Sequence, residues 1–197
     1  MESTSTFGSP DFWPDQVGNH AQQKPNIPDW AELMVSMGGR ACIVAQLTGL
    51  SDSEVRTMWQ RLAGRSSPSG QQPNDPNWYL KSPIRRYHSA LLVILYSQCS
   101  KQLPSFAAFA NAYYHYARIT AGTVEPMKWV HDPAIRTSER DYIIPFSRGH
   151  FLTSIYRDDM SDEGRRQCEL VMKRCRKCQG IYMSHVFETG HLCPLCE

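Results

Sequence analysis

Cys175-Arg-Lys-Cys178, then fourteen residues, then Cys193-Pro-Leu-Cys196: the reading of this stretch decides how the end of the chain folds. Two residues between paired cysteines let a tight turn aim both sulfurs at one point, and zinc takes four such ligands at the corners of a tetrahedron. The spacing therefore predicts a zinc ribbon with one structural Zn2+ on Cys175, Cys178, Cys193 and Cys196. Strand-like pieces at Leu170-Val-Met and Ile181 to Phe187 flank the first pair. We expect a strand pair between the knuckles, with its tip at Glu188 to Gly190, to bring the second pair back to the first. Four thiolates close the coordination sphere, so the metal has no open position for substrate or water. His185 and His191 are read as ordinary ribbon residues. Lys173, Arg174, Arg176 and Lys177 crowd the first knuckle, where they favour thiolate over thiol and can touch phosphate.

Upstream the pattern is helical. Asp29 is placed to N-cap a helix carrying Trp30, Leu33, Met34 and Met37 on one face, and Gly38-Gly39 breaks it. Residues 41 to about 60 fit a helix-turn-helix frame. Val44 and Ala45 sit at the crossing, Gly49 at the turn, and Leu50 between the helices. Ser51 with Glu54 forms a capping-box pattern, Val55 and Met58 pack the second helix back, and Gly64 ends it. In that frame Ser51, Ser53, Arg56, Thr57 and Gln60 face a major groove, and Arg61 and Arg65 reach phosphates. A plain αα corner that never meets DNA is the alternative. A proline-rich loop over 65–76 follows, then helices from Pro83 to about Gln98, Ser105 to Ile119, and Pro145 to Asp158. The fold class is mainly α, a helical body with a small C-terminal β-hairpin zinc ribbon. Residues 1–28 read as a disordered tail, 29–164 as a helical domain with the helix-turn-helix-like segment at 41–64, and 165–197 as the ribbon module.

Charge divides the chain. Four acids against Lys24 give −3 over residues 1–30, and 20 basic against 15 acidic residues give +5 over the rest. A mildly basic body suits a polyanion. The longest apolar run, Ala90 to Tyr96, is far too short to span a bilayer, and the N-terminus has no secretory pattern. We expect a cytoplasmic protein without membrane contact. Seven cysteines, an odd number, argue against a disulfide framework. Cys42 and Cys99 are expected in the core, and Cys168 is out of register with the knuckles. No phosphate loop, nucleophile elbow or His-Glu-x-x-His occurs. The zinc deaminase pattern is absent too, since Leu192 stands before Cys193-Pro-Leu-Cys196. The reading is of a binding protein, not an enzyme.

Several residues together resemble one family. They are a helix from Arg40 to Leu47, Thr48-Gly-Leu-Ser51, a basic helix closing on Gly64-Arg-Ser-Ser-Pro-Ser-Gly-Gln-Gln-Pro73, Trp78, an apolar helix and the paired knuckles. Over residues 31–197 this resembles FlhC, a subunit of the bacterial flagellar master transcriptional activator. The resemblance implies a DNA-binding subunit that joins an FlhD-type partner in a hetero-hexamer of four FlhD and two FlhC chains. It implies promoter binding at flagellar operons, recruitment of RNA polymerase, and one zinc on the four cysteines. The second hypothesis is a zinc-stabilised protein-interaction adaptor without direct DNA contact.

Overall fold

A computed structural model describes residues 26–121, 144–160 and 169–197. Of the expected tail over 1–28, residues 1–25 lie outside the described residues, as do 122–143 and Cys168, whereas residues 27 and 28 belong to the first helix. Six α-helices and one hairpin make up the described part. The helices are α1 (Ile27–Ser36), α2 (Ala41–Thr48), α3 (Asp52–Ala63), α4 (Pro83–Cys99), α5 (Ser105–Ala121) and α6 (Phe146–Met160). A 3-10 turn at Pro76–Leu80 precedes α4, and strands β1 (Leu170–Arg174) and β2 (Ile181–His185) pair antiparallel near the end. No described helix is long and apolar enough to cross a membrane.

The local signals act where the sequence places them, with one exception. Asp29 is not the N-cap of α1. The helix starts three residues earlier behind Asn26, because Pro28 fits its first turn, and Asp29 accepts a hydrogen bond from the Asn26 side-chain amide at 3.2 Å. At α3 the capping box is complete: the Ser51 hydroxyl accepts from the Glu54 N–H, and Glu54 accepts from the Ser51 N–H at 2.8 Å. Gly49 and Gly64 adopt the left-handed region, φ 77° and 64°, and close α2 and α3. Thr48, polar at an apolar position of the frame, is buried and donates to the Val44 carbonyl at 2.7 Å. The α4 N-terminus is capped by Ser82 with Pro83 following.

The core forms where α1, α2 and α3 meet α4, α5 and α6. Met34, Ile43, Val44, Val55, Trp59, Leu92, Tyr113, Tyr116 and Leu152 are among its buried side chains. Gly39 lies at the tightest approach. A Cβ there would stand 2.7 Å from the Met34 carbonyl oxygen and 2.8 Å from Val44, so the α1–α2 turn tolerates no side chain. Trp59, which the helical pattern alone does not single out, is fully buried, and its indole N–H donates to the Gly39 carbonyl at 2.9 Å. The aromatic hydroxyls of α5 fasten the start of α6. The Ile144 N–H donates to the Tyr116 hydroxyl at 2.8 Å, and the same hydroxyl is hydrogen-bonded to His88 Nδ1, also 2.8 Å away. Two corrections concern single residues. Cys42 is exposed, because the inward positions of α2 are taken by Ala41, Ile43 and Val44, and Cys99 is only half-buried.

The hairpin sits elsewhere than expected. β1 precedes Cys175, so only β2 lies between the knuckles, and the turn joining the strands is the first knuckle itself. The reason is local. Gln179 adopts φ 63°, and the Cys175 N–H donates to the Gly180 carbonyl at 2.9 Å, so the Cys-x-x-Cys turn reverses the chain by itself. Glu188 to Gly190 belong to the return loop after β2. Leu170 and Met183 join the main core, so the ribbon packs on the body, against α4, without a free linker face between them.

Candidate metal centre and basic surface

The four sulfurs of Cys175, Cys178, Cys193 and Cys196 all lie within 4.8 Å of one another. Cys178 and Cys193 are 3.7 Å apart, close to the ~3.8 Å edge of a tetrahedron with Zn–S bonds of about 2.3 Å and far beyond a disulfide bond. All four are free thiols in a pattern that could hold a metal ion. Sequence spacing gathers them because each pair bends around its own backbone turn. Cys196 N–H donates to the Cys193 carbonyl at 2.9 Å, and Arg176 N–H donates to the His191 carbonyl at 3.0 Å, tying one knuckle to the other.

The surroundings polarise the sulfurs unequally. Backbone N–H groups of Cys178, Cys193 and Lys177 point at Cys175 and hold its thiol down at about 6. The Cys193 N–H is 3.3 Å from that sulfur. A hydrogen bond from the Tyr87 hydroxyl lowers Cys193. Cys196 instead donates toward Cys193, and with burial this pushes it up to about 12. Such a set fits a divalent cation, which would displace the remaining thiol protons and take all four sulfurs as thiolates. His185 is engaged elsewhere. Its Nδ1 accepts the Phe187 N–H at 3.2 Å, so Nε2 carries the proton and donates to Glu169 at 3.0 Å. His191 is exposed, outside the cluster.

The residues that seat this cluster on the body were not legible as a pair. Arg86 of α4 grips Glu188 with two bonds, Nη1 to Oε2 at 2.7 Å and Nη2 to Oε1 at 2.8 Å, across 102 positions of sequence. Arg86 also donates to the Leu80 carbonyl, Ser184 donates to Glu188 at 2.6 Å, and Lys173 donates to the Glu188 carbonyl. Tyr87 and Tyr182 pack beside this clamp, with ring centroids 6.4 Å apart. Arg86 holds the Glu188 carboxyl down at about 2, with help from Ser184. Because its pKa falls on folding from an ordinary 4.5, its contribution is fully present above about 4.5 and is lost as pH falls toward 2. We expect Glu188→Gln to cost about 1–2 kcal/mol at pH 7, a value limited by the partial exposure of the pair. In urea unfolding the gap between variant and native protein should shrink between pH 5 and pH 2. A pH-independent gap would contradict the clamp.

The predicted nucleic-acid residues fall into two groups on the surface. Ser51, Ser53, Arg56, Thr57, Gln60, Arg61 and Arg65 are all exposed, on or just beyond α3. Arg56 is paired with Asp52 at 2.7 Å, Arg61 with Glu32, and Arg65 lies over the Trp59 ring at 5.7 Å. At the first knuckle Arg174, Arg176 and Lys177 are exposed, whereas Lys173 is turned to the Glu188 carbonyl. Sequence reasoning missed Arg85 and Arg148, which both stack on Trp78 with Cζ 4.1 and 4.3 Å from its ring centroid. No local period could have paired them, since they come from different helices.

The family model described as "Flagellar transcriptional activator (FlhC)" matches residues 21–197. Among curated relatives, the flagellar transcriptional regulator FlhC of Verminephrobacter eiseniae is 25% identical over 170 residues, covering 85% of this chain and 79% of that protein. The FlhC of Cupriavidus pinatubonensis is 27% identical over 170 residues, covering 83% of this chain and 68% of that protein. These are transcriptional regulators, which is not an enzyme class. With a mainly helical body, a C-terminal hairpin and a four-cysteine cluster in hand, the chain belongs to the FlhC family of flagellar transcriptional activators.

Proposed function

We propose that this chain is the DNA-binding subunit of a cytoplasmic transcription activator that works with an FlhD-type partner. In the family arrangement this is a hetero-hexamer of four FlhD and two FlhC chains. It switches on flagellar operons by promoter binding and recruitment of RNA polymerase. The cofactor is one structural Zn2+ on Cys175, Cys178, Cys193 and Cys196, organising a ribbon over 165–197 behind a helical domain that starts with α1 at Ile27 and runs to 164, with a tail before it. The role of the metal is to hold the ribbon together, since four thiolates leave it no catalytic position.

The observation that carries this reading is α3. Helix α2, a left-handed Gly49 and a capped α3 present Ser51, Ser53, Arg56, Thr57 and Gln60 on one exposed face, a geometry suited to a major groove. The ion pairs of Arg56 and Arg61 are exposed, and such pairs are worth only about 0–1 kcal/mol, so DNA phosphates can replace them. Arg174, Arg176 and Lys177 form a second basic group. The test is retardation of a flagellar promoter fragment by the complex co-purified with its partner, with and without Arg56→Ala and Arg176→Ala. Affinity should fall steeply with salt, and each variant should weaken it. No retardation of any fragment would favour the adaptor reading, which gains its support from Phe187 and Leu195, 78% and 71% exposed on the ribbon.

A further inference from the structure

The stretch Gly64 to Pro73, quoted above for its resemblance, forms a wall. Its Gln71 and Gln72, with Asn74, line a cavity of about 430 Å³ whose other sides carry Arg40, Ser147 and Arg148. Among the described residues no carboxylate lines it. Arg40 is held in place by donating to the Gly70 and Gln71 carbonyls at 3.1 and 3.0 Å, so the loop shapes itself around a cation. The N-terminal end of α6 adds the positive end of its helix dipole.

Beside the cavity, Arg85 and Arg148 share the Trp78 ring. Cation–π attraction holds each in place but cancels no charge. Neither guanidinium has a salt bridge among the described residues, and Arg148 Nη1 has no hydrogen-bond acceptor. Asp75, the nearby acid, is occupied by Lys81 at 3.2 Å and by the Asn77 N–H at 2.9 Å. Burial lowers the Arg148 guanidinium from its ordinary range, and the like charge of Arg85 adds to this. Two neighbouring cations are thus stacked on one ring with no ion pair of their own among the described residues, although Asp75 is near enough to attract Arg148. The contrast with α3 is direct, because Arg56 and Arg61 there already have acidic partners.

We propose that the Arg85–Trp78–Arg148 stack and the adjoining Arg40-walled cavity form a phosphate-binding site, and that the phosphate is that of the DNA backbone. The site rests on the DNA-binding reading and divides its labour. Helix α3 supplies mainly polar side chains for base edges, and the stacked arginines position the duplex through its backbone.

The test measures binding of labelled duplexes to the full-length chain in its co-purified complex, at several salt concentrations. Arg85→Gln and Arg148→Gln should each weaken binding about tenfold on every sequence alike and reduce the slope of log affinity against log salt by about 1. Arg148→Lys should restore the slope. Wild-type affinity and slope in both Gln variants, with unchanged melting, overturn the proposal. Arg85 makes no side-chain hydrogen bond among the described residues, so its variant remains readable if Arg148→Gln melts early. If the native complex binds no duplex, the DNA-binding reading fails separately, and titration of the full chain with ATP decides the site. Saturable binding lost in Arg85→Gln upholds a phosphate site served by a free phosphate ligand. No binding of ATP or duplex removes it.

Discussion

Replacing Cys178 with serine should abolish stoichiometric zinc and unfold the ribbon over residues 169–197. Cys178 is exposed, so a serine of similar shape opens no cavity and removes almost no packing. A large effect therefore reports the metal alone. Structural zinc supplies about 10–16 kcal/mol of folding energy in small finger peptides, comparable with the whole stability of an ordinary domain. The consequence should extend past the ribbon. Leu170 and Met183 belong to the main core, and the Arg86–Glu188 clamp anchors the hairpin on α4. Hydrogen exchange should show lost protection from β1 onward and weakened protection along α4. Full zinc occupancy with native exchange would contradict the assignment.

The second large effect is expected at Trp59. Trp59→Ala removes the largest fully buried side chain of the core and leaves the Gly39 carbonyl without its donor. Large-to-small substitutions of this kind cost about 3–5 kcal/mol, and the orphaned carbonyl adds roughly 1. For a chain of this length the melting temperature should drop by about 10 °C or more. The damage falls on the seat of α3, so DNA affinity should fall with it even though Trp59 is buried beneath the exposed face. Trp59→Phe should restore most of the packing but not the hydrogen bond. A melting temperature within 2–3 °C of the native protein for the alanine variant, about 1 kcal/mol, would mean that α3 is not fixed through this side chain.

What could be read from sequence shares one property, locality. The capping box of Ser51 and Glu54, the left-handed Gly49 and Gly64, Pro83 behind Ser82, and the two Cys-x-x-Cys pairs each act within a few residues. The gathering of four sulfurs was legible for the same reason. Strand pairing is not local. Ile181 to Phe187 reads as a strand, but nothing in its own residues says that its partner precedes Cys175. Nor does spacing reveal that a knuckle with Gln179 at positive φ can serve as the hairpin turn. Cys42 was misplaced because its neighbours are apolar, although α2 turns their side inward and Cys42 outward. Trp59, the Arg86–Glu188 clamp and the Trp78 stack join helices and loops far apart in sequence. They emerge only once α4 and α6 are packed.

Two tight turns bring the four cysteines together, and Arg86 and Tyr87 tie the ribbon to α4. The basic groups then have defined places: the exposed face of α3, the first knuckle, and the stack on Trp78. An adaptor would need the metal and the clamp, but not the exposed basic residues of the first knuckle or the two arginines stacked on Trp78.

X-ray absorption at the zinc edge, together with metal analysis of the purified native chain, reads the metal centre itself. One zinc per chain is expected, with four sulfur neighbours at about 2.3 Å and no nitrogen or oxygen ligand. Substoichiometric metal, or a first shell containing a histidine nitrogen or water oxygen, would contradict a closed four-thiolate centre.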